Sequence, residues 1–163
     1  SNPVYHEVPV LIHDGKPICE SLAIVQYVDE VWAATGPSIL PADPYDRAAA
    51  RIWAAYADSK LLPAWVGIMW AATEEERAEK VEDTLAAIGQ LEEAFGKCSK
   101  GKAFFAGDSV GYLDLVVGSQ LLWFEALQKM FGVVVVEVGR APLLAAWVKQ
   151  FGETDTAKEV VPD

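Results

Sequence analysis

Apolar residues follow two different periods along this chain, and the change comes close to residue 20. Between Val8 and Ile18 they form two short bursts around the dipeptide Asp14-Gly15. This dipeptide tolerates the positive φ angles of a tight turn, so the pattern predicts a β-hairpin. After Glu20, apolar residues recur at helical spacing. The first helix is marked by Ile24, Tyr27, Val28 and Val31.

A stretch rich in proline divides the chain after this first helix. Residues 34–44 contain three prolines and one glycine and show no periodicity, which is typical of a connection between two units. We therefore expect an α+β fold that is mostly α-helical. Its units are a small α/β part at residues 1–33, a linker at 34–45 and an all-helical domain at 46–163.

Two helices are predicted directly after the linker. The first covers residues 45 to about 70 and should kink at Pro63, because proline removes a backbone donor and crowds the preceding turn. The second begins at Thr73, where Thr73 and Glu76 have the spacing of a capping box, and it runs to Gly96.

Two more helices are predicted towards the end of the chain. One opens at residues 111–114 and continues to Met130 with almost no polar face, so it should lie at the centre of a helical bundle. Asp114 sits in its first turn, where a carboxylate can accept hydrogen bonds from free backbone N–H groups. We expect it to be a buried structural residue rather than a catalytic one. The other helix begins at Pro142.

The charge balance excludes several functions. Lys and Arg number 13 against 24 Asp and Glu, and the net charge of −11 repels both nucleic-acid phosphates and anionic lipids. The longest apolar run, at residues 61–72, is interrupted by Pro63 and Gly67 and is shorter than the ~20 residues that cross a bilayer. We therefore expect neither nucleic acid nor a membrane as a partner.

Metal and disulfide chemistry are not indicated either. Cys19 and Cys98 stand far apart and form no Cys-x-x-Cys pair, which fits a reducing compartment and offers no structural zinc site. His6 and His13 are the only histidines, and no cluster of carboxylates accompanies them. No metal cofactor is expected.

The junction between the hairpin and the first helix carries the most suggestive chemistry. A helix start presents unpaired N–H groups and a partial positive charge, so Ser21 can help to hold a carboxylate there, while Glu20 can pair with an ammonium group. These two ligand groups together form the head of an α-amino acid. The backbone of Val8, before Pro9, can pair with a peptide as a short added strand. A simpler alternative is that Ser21 is an ordinary N-cap and Glu20 a solvated neighbour.

Motifs along the whole chain recur in one known family. They comprise residues 2–22, 26–30, 40–41, 46–48, 50–54, 111–114 and 142–147. As a set they resemble the glutathione transferases, and most closely the plant tau class. The resemblance covers essentially the entire chain.

This resemblance implies a thioredoxin-like domain, of which the chain holds the second half, followed by an all-helical domain, with two copies paired as a homodimer. It also implies that Val8 pairs its backbone with the cysteinyl unit of glutathione beside a cis Pro9. Glu20 and Ser21 would hold the γ-glutamyl head. The family reaction adds the glutathione sulfur to an electrophile, so glutathione is the expected co-substrate.

The resemblance implies that the hydroxyl that activates the thiol lies upstream of Ser1, so no catalytic residue is assigned within this chain. The last family helix is likewise expected beyond Asp163. We therefore expect the chain alone to be inactive. Tau-class proteins usually carry a lysine at the position of Glu7, facing the glycine carboxylate of glutathione, and the carboxylate present here is expected to weaken glutathione binding.

Helices of the second domain line the family's pocket for hydrophobic electrophiles. The corresponding residues in this sequence are Tyr56, Leu62, Trp65, Val66 and Trp123. Aromatic residues at helical spacing are equally typical of a hydrophobic core, so this set is a weaker assignment than the glutathione residues.

The resemblance favours a cytoplasmic glutathione transferase that conjugates small hydrophobic electrophiles in detoxification or stress response. Two alternatives stay open. The helical domain could carry apolar ligands without chemistry. The protein could also be a transferase-like interaction module that binds another protein.

Overall fold

The computed structural model describes residues 8–160, and a short antiparallel hairpin comes first. Strand β1, Val10–His13, pairs with strand β2, Lys16–Cys19. The two turn residues, Asp14 and Gly15, have φ angles of 49° and 74°, and two successive positive φ angles are the geometry of a tight hairpin turn. The hairpin predicted from this dipeptide is confirmed.

Helix α1, Ser21–Val31, follows the hairpin and packs against both strands. Near its end, the Asp29 carboxylate accepts hydrogen bonds from Ser38 Oγ at 2.7 Å and from Ile39 N at 3.0 Å. A side chain of α1 thereby fixes the proline-rich connection that leads to helix α2, Pro44–Tyr56.

The long helix predicted over residues 45–70 is divided by a wide turn. After α2 the backbone runs through a π-helical segment, Ala57–Leu61, and then continues as helix α3, Leu62–Trp70. Pro63 lies in the first turn of α3, where its missing N–H interrupts the regular ladder of hydrogen bonds. The helix is therefore irregular where a kink was predicted, and the irregularity is a widened turn.

Helix α4, Glu74–Cys98, is the longest of the described helices. Thr73 Oγ1 accepts from Glu76 N at 3.1 Å, as predicted for a capping box, and the Glu76 carboxylate accepts from Ala72 N at 2.9 Å. The helix continues past Gly96, its predicted end. Glycine ends a helix when it takes a positive φ, and Gly96 does not.

The apolar stretch predicted as one helix over residues 111–130 forms two helices, α5, Tyr112–Gly118, and α6, Leu121–Phe131. At Gly118 the chain comes so close to Phe151 that an added Cβ would lie 2.3 Å from the aromatic ring. The prediction of a single helix is wrong, because an apolar run indicates burial but does not show where the backbone turns.

Helices α7, Pro142–Gly152, and α8, Asp155–Val160, complete the described chain. α7 begins at the predicted residue. Its first N–H groups are held by a side chain from α4, since the Glu92 carboxylate accepts from Leu143 N at 2.9 Å and from Leu144 N at 2.8 Å. A helix that lacks a local cap is thus capped from a neighbouring helix.

One hydrophobic core runs through the helices that follow the linker. Its most deeply buried large side chains include Leu61, Ile68, Leu91, Leu127, Leu144 and Trp147. The fold is α+β and mostly helical, as predicted. Within residues 8–160, no helix combines the length and apolar character that crossing a bilayer requires.

Candidate functional site

The start of β1 and the end of β2 lie at the same end of the hairpin, where Val10 pairs with Cys19. Residues 8–9 lead into this pair and residues 20–21 follow it, so both short segments leave the sheet from one edge. The antiparallel register therefore brings together the four residues predicted to bind glutathione. They are Val8, Pro9, Glu20 and Ser21.

Val8 is the most open of these positions. Its side chain is 90% exposed, and the peptide bond between Val8 and Pro9 is cis, as the resemblance implied. Because Val8 stands just before the first paired residue of β1, a short extended peptide could add to the chain at this point through main-chain hydrogen bonds.

Glu20 has an unusual backbone conformation. It takes the N-cap position of α1 with φ 69° and ψ 113°, and a residue other than glycine held in such a region costs roughly 1–3 kcal/mol. Its carbonyl accepts from Ile24 N at 2.8 Å. The exposed carboxylate makes no capping bond within the described chain, so it can meet a ligand at the surface.

Ser21 is the first residue of α1, and its side chain is exposed. Because Glu20 occupies the N-cap position, the alternative that Ser21 is an ordinary N-cap is wrong. The N–H groups of the first turn have no partners inside the helix and carry a partial positive charge. A carboxylate beside Ser21 would meet these N–H groups and the hydroxyl together, while the Glu20 carboxylate could accept from an adjacent ammonium.

A polar network that was not predicted from the sequence connects α1 to the helical part of the chain. Gln26 Nε2 donates to Leu22 O and to Tyr112 Oη, each at 3.1 Å, and Arg51 Nε donates to Gln26 Oε1 at 2.8 Å. Arg51 and Tyr112 lie 25 and 86 residues away from Gln26 along the chain. No local spacing or motif could have indicated these contacts.

Two of the predicted electrophile-pocket residues stack on each other. The ring centroids of Trp65 and Trp123 are 5.6 Å apart and their planes differ by 19°. Trp65 is buried and its Nε1 donates to Gln120 Oε1 at 2.8 Å, whereas Trp123 is 45% exposed. Leu62 and Val66 are half-buried on the same helix as Trp65. The structure thus provides an apolar surface with one open aromatic side chain.

Tyr56, the fifth predicted pocket residue, faces a different environment. Its ring meets Trp53 edge to face at a centroid distance of 5.4 Å. It also lines a polar cavity with Lys60, Lys80 and Asp83, which none of the other four predicted pocket residues lines. This cavity therefore does not join Tyr56 to the stacked tryptophans.

A separate apolar cavity lies on the side of α6 that faces α7 and α8. Its volume is about 420 Å³, which is large enough for a small organic ligand. Its wall includes Leu121, Phe124, Phe151 and the valine run 134–136. None of the residues predicted to form a site lines it.

Metal-ligating groups are not clustered in the described part of the chain. Residues 8–160 contain no group of three His, Cys, Asp or Glu side chains placed to hold a metal ion. Cys19 and Cys98 both carry free thiols. Glu7, predicted to weaken glutathione binding, lies outside the described residues.

Comparison with known proteins adds two sequence profiles. The profile described as "Glutathione S-transferase, N-terminal domain" matches residues 1–30. The profile described as "Glutathione S-transferase, C-terminal domain" matches residues 71–150. The first match contains all four residues at the edge of the hairpin.

Plant proteins are similar over the whole chain. A probable glutathione S-transferase, GSTU6, of rice (Oryza sativa subsp. japonica) is 54% identical over 167 residues, which cover 100% of this chain and 71% of the rice protein. Glutathione S-transferase U15 of Arabidopsis thaliana is 44% identical over 163 residues, covering 100% of this chain and 70% of its own length.

Solved structures have the same fold. A tau class glutathione S-transferase from mango, Mangifera indica L., superposes with a TM-score of 0.91 at 47% identity, covering 100% of this chain and 74% of that one. Rice GST1, solved in complex with glutathione, superposes with a TM-score of 0.86 at 32% identity and covers 100% and 73% of the two chains.

Proposed function

Because this chain belongs to the glutathione S-transferase family, and within it to the tau class, we propose that the protein adds the sulfur of glutathione to small hydrophobic electrophiles. In this reaction the thiol gives up its proton to solvent, and the resulting thiolate forms a carbon–sulfur bond with the electrophile. The electron pair displaced at that carbon, from an opened π bond or with a departing leaving group, takes up a proton. One observation carries the proposal: the hairpin register and the start of α1 bring a carboxylate, a hydroxyl and free backbone groups to one exposed edge.

Each part of this edge has a role in the proposal. The backbone of Val8, followed by cis Pro9, pairs with the cysteinyl unit of glutathione. Glu20 accepts from the α-ammonium of the γ-glutamyl unit, and Ser21 with the first turn of α1 holds its α-carboxylate. The solved rice protein that contains glutathione has the same fold, which supports glutathione as the co-substrate.

The electrophile would be held on the apolar surface of the second domain. Trp65 and Trp123 supply a stacked pair with one exposed face, and Leu62 and Val66 supply aliphatic contacts on α3. Tyr56 is the weakest member of this set, because it lines a polar cavity with Lys60, Lys80 and Asp83.

The same proposal includes the domain organisation, the oligomeric state and the cellular location of the protein. Residues 1–33 form the second half of a thioredoxin-like domain, residues 34–45 a linker and residues 46–163 the helical domain, in a homodimer of the cytoplasm that serves detoxification or stress response. No residue of this chain is assigned as the hydroxyl that activates the thiol, so we expect the chain alone to bind glutathione without conjugating it.

The test is a calorimetric titration of the 163-residue chain with glutathione. Glu20→Gln and Ser21→Ala should each raise the dissociation constant about tenfold, the cost of a hydrogen bond to a charged group. Glu30→Gln, an exposed change on the same helix, and Ser109→Ala, an exposed change far along the chain, are the matched controls. A chain that does not bind glutathione, or site variants that behave like their controls, would refute the assignment.

A second candidate function, the transport of apolar ligands without chemistry, is favoured by the cavity of about 420 Å³ beside α6. A carrier would bind a hydrophobic probe tightly in that cavity and form no thioether with glutathione. Phe124→Trp places a larger ring in the cavity and should abolish binding of the probe. Ser21→Ala should leave this binding unchanged.

A further inference from the structure

The three donors and acceptors of the Gln26 amide are all engaged, and this fixes which way the amide points. Its oxygen must face Arg51 Nε, because the guanidinium can only donate. Its nitrogen then donates one hydrogen to Leu22 O and the other to Tyr112 Oη. Tyr112 Oη passes its own hydrogen on towards Leu22 O at 3.4 Å.

This arrangement joins three helices at the Gln26 amide. Leu22 lies in the first turn of α1, next to Ser21, whereas Arg51 lies on α2 and the buried Tyr112 opens α5. Because the partners of Gln26 stand on the helical part of the chain, the amide ties the first turn of α1 to elements that are themselves fixed by the core.

We propose that Gln26 is a positioning residue for the glutathione site: it holds the first turn of α1, and with it Glu20 and Ser21, at a fixed place against α2 and α5. The inference rests on the proposed function for its ligand, although the mechanical tie stands on the contacts alone. A site that is already in place loses less conformational entropy when the ligand binds, so the tie raises the affinity for glutathione.

Gln26→Glu separates the two halves of this network, because it keeps the size of the side chain but removes both of its donors and adds a negative charge. A carboxylate still accepts from Arg51, now as an ion pair, but it has no hydrogen for Leu22 O and repels that carbonyl. If the contact with Arg51 alone held α1, this variant would hold it at least as well. If donation to Leu22 and Tyr112 holds it, the variant loosens it.

The experiment compares amide hydrogen exchange of residues 21–31 in the unchanged chain, Gln26→Glu and Tyr112→Phe. We expect exchange within α1 to be about fivefold faster in Gln26→Glu, the factor for one lost hydrogen bond between neutral groups, and to rise less in Tyr112→Phe. Exchange within α4 should not change. Gln150→Glu makes the same chemical change at an exposed position of α7 and serves as the control.

A glutathione titration of the same variants completes the test. The dissociation constant should rise about fivefold in Gln26→Glu and stay unchanged in Gln150→Glu. Exchange in α1 that is unchanged or slower in Gln26→Glu would overturn the tie through Leu22 and Tyr112. An unchanged chain that binds no glutathione would refute the proposed function, while the exchange comparison would still decide whether Gln26 ties α1 to the helical part.

Discussion

At the scale of single residues, Asp114 has the densest set of polar contacts in the core. Its fully buried carboxylate accepts from the backbone N–H groups of Phe105, Ala106 and Gly111 at 2.9–3.2 Å and from Trp147 Nε1 at 2.8 Å. Burial raises the pKa of this carboxyl above its ordinary value of 3.8, and the hydrogen bonds only partly oppose that rise. One side chain thus joins the loop before α5, the start of α5 and helix α7.

Replacing Asp114 should therefore be costly, and the cost should depend on pH. Asp114→Asn places amide hydrogens against N–H donors, so we expect the free energy of unfolding to fall by about 2 kcal/mol in acid. A carboxyl whose pKa is higher in the folded chain stabilises most below its unfolded pKa, and this contribution is lost as pH rises through the folded pKa. The loss in free energy of unfolding caused by Asp114→Asn should therefore shrink as pH increases from about 3.8 upward. Urea unfolding across that range measures it, and a deficit that grows with pH would contradict the prediction.

The sequence predicted Asp114 as a buried structural carboxylate because its signal is local: it lies in the first turn of a predicted helix. Gln26 gave no such signal. Its partners Arg51 and Tyr112 are distant along the chain, and a glutamine on the polar face of a helix has the same pattern whether it is solvated or engaged. Glu20 and Ser21 were proposed as site residues from helix-end chemistry, but the positive φ of Glu20 was not predicted.

At the scale of elements, helix ends and helix contacts decide where each segment stops. The hairpin and the start of α4 were predicted because Asp14-Gly15 and the Thr73–Glu76 pair act within a few residues. The division into α5 and α6 was not, because an apolar run indicates burial but does not show where the backbone turns. The cap of α7 by Glu92 is likewise a contact between two helices.

Removing that cap should destabilise the chain measurably. Glu92→Gln leaves one acceptor oxygen for two N–H groups of α7 and removes the charge, so we expect the free energy of unfolding to fall by about 1 kcal/mol. The neighbouring Glu93→Gln removes an exposed carboxylate 3.9 Å from Lys97 and should change it by less than about 0.5 kcal/mol. Equal effects of the two substitutions in denaturant unfolding would show that Glu92 is not a cap.

Two glycines in helices should respond to alanine with opposite signs. Gly118→Ala forces a methyl group against the Phe151 ring and should lower the free energy of unfolding by ~1–3 kcal/mol. At Gly89, in the exposed middle of α4, an added Cβ would meet nothing within 4 Å beyond the adjacent residues and the backbone of its own helix. Gly89→Ala should raise the free energy of unfolding by about 0.5–1 kcal/mol, because alanine loses less backbone conformational entropy than glycine when the helix forms. Thermal unfolding of both variants checks the signs, and destabilisation by Gly89→Ala would show that position to be packed.

At the scale of the whole molecule, the main imbalance is the excess of acidic over basic residues. The chain carries 24 acidic against 13 basic residues and a net charge of −11. The ion pairs of the described chain lie on exposed or half-exposed side chains, where such pairs contribute little. Repulsion among the excess carboxylates therefore opposes the compact state.

Salt should consequently stabilise the protein. Raising NaCl from about 20 mM to about 300 mM shortens the range of this repulsion, and we expect Tm to rise by about 2–4 °C, equivalent to ~1 kcal/mol for a chain of this size. At about pH 5.5, closer to the isoelectric point of about 4.6, the gain should be smaller. Calorimetry at both pH values measures it. A Tm that falls with salt would mean that attractive pairs outweigh the net charge.

The π-helical segment Ala57–Leu61 rotates the residues that follow it about the helix axis. A regular helix repeats its faces with a constant advance of about 100° per residue, and a turn wide enough for one extra residue shifts everything after it by about that angle. The faces of α2 and α3 are therefore offset by about that angle along an otherwise continuous helix. Helix α2 packs against both α5 and α4, whereas α3 packs mainly against α4. A single widened turn thus lets one continuous helix begin against two partners and continue mainly against one of them.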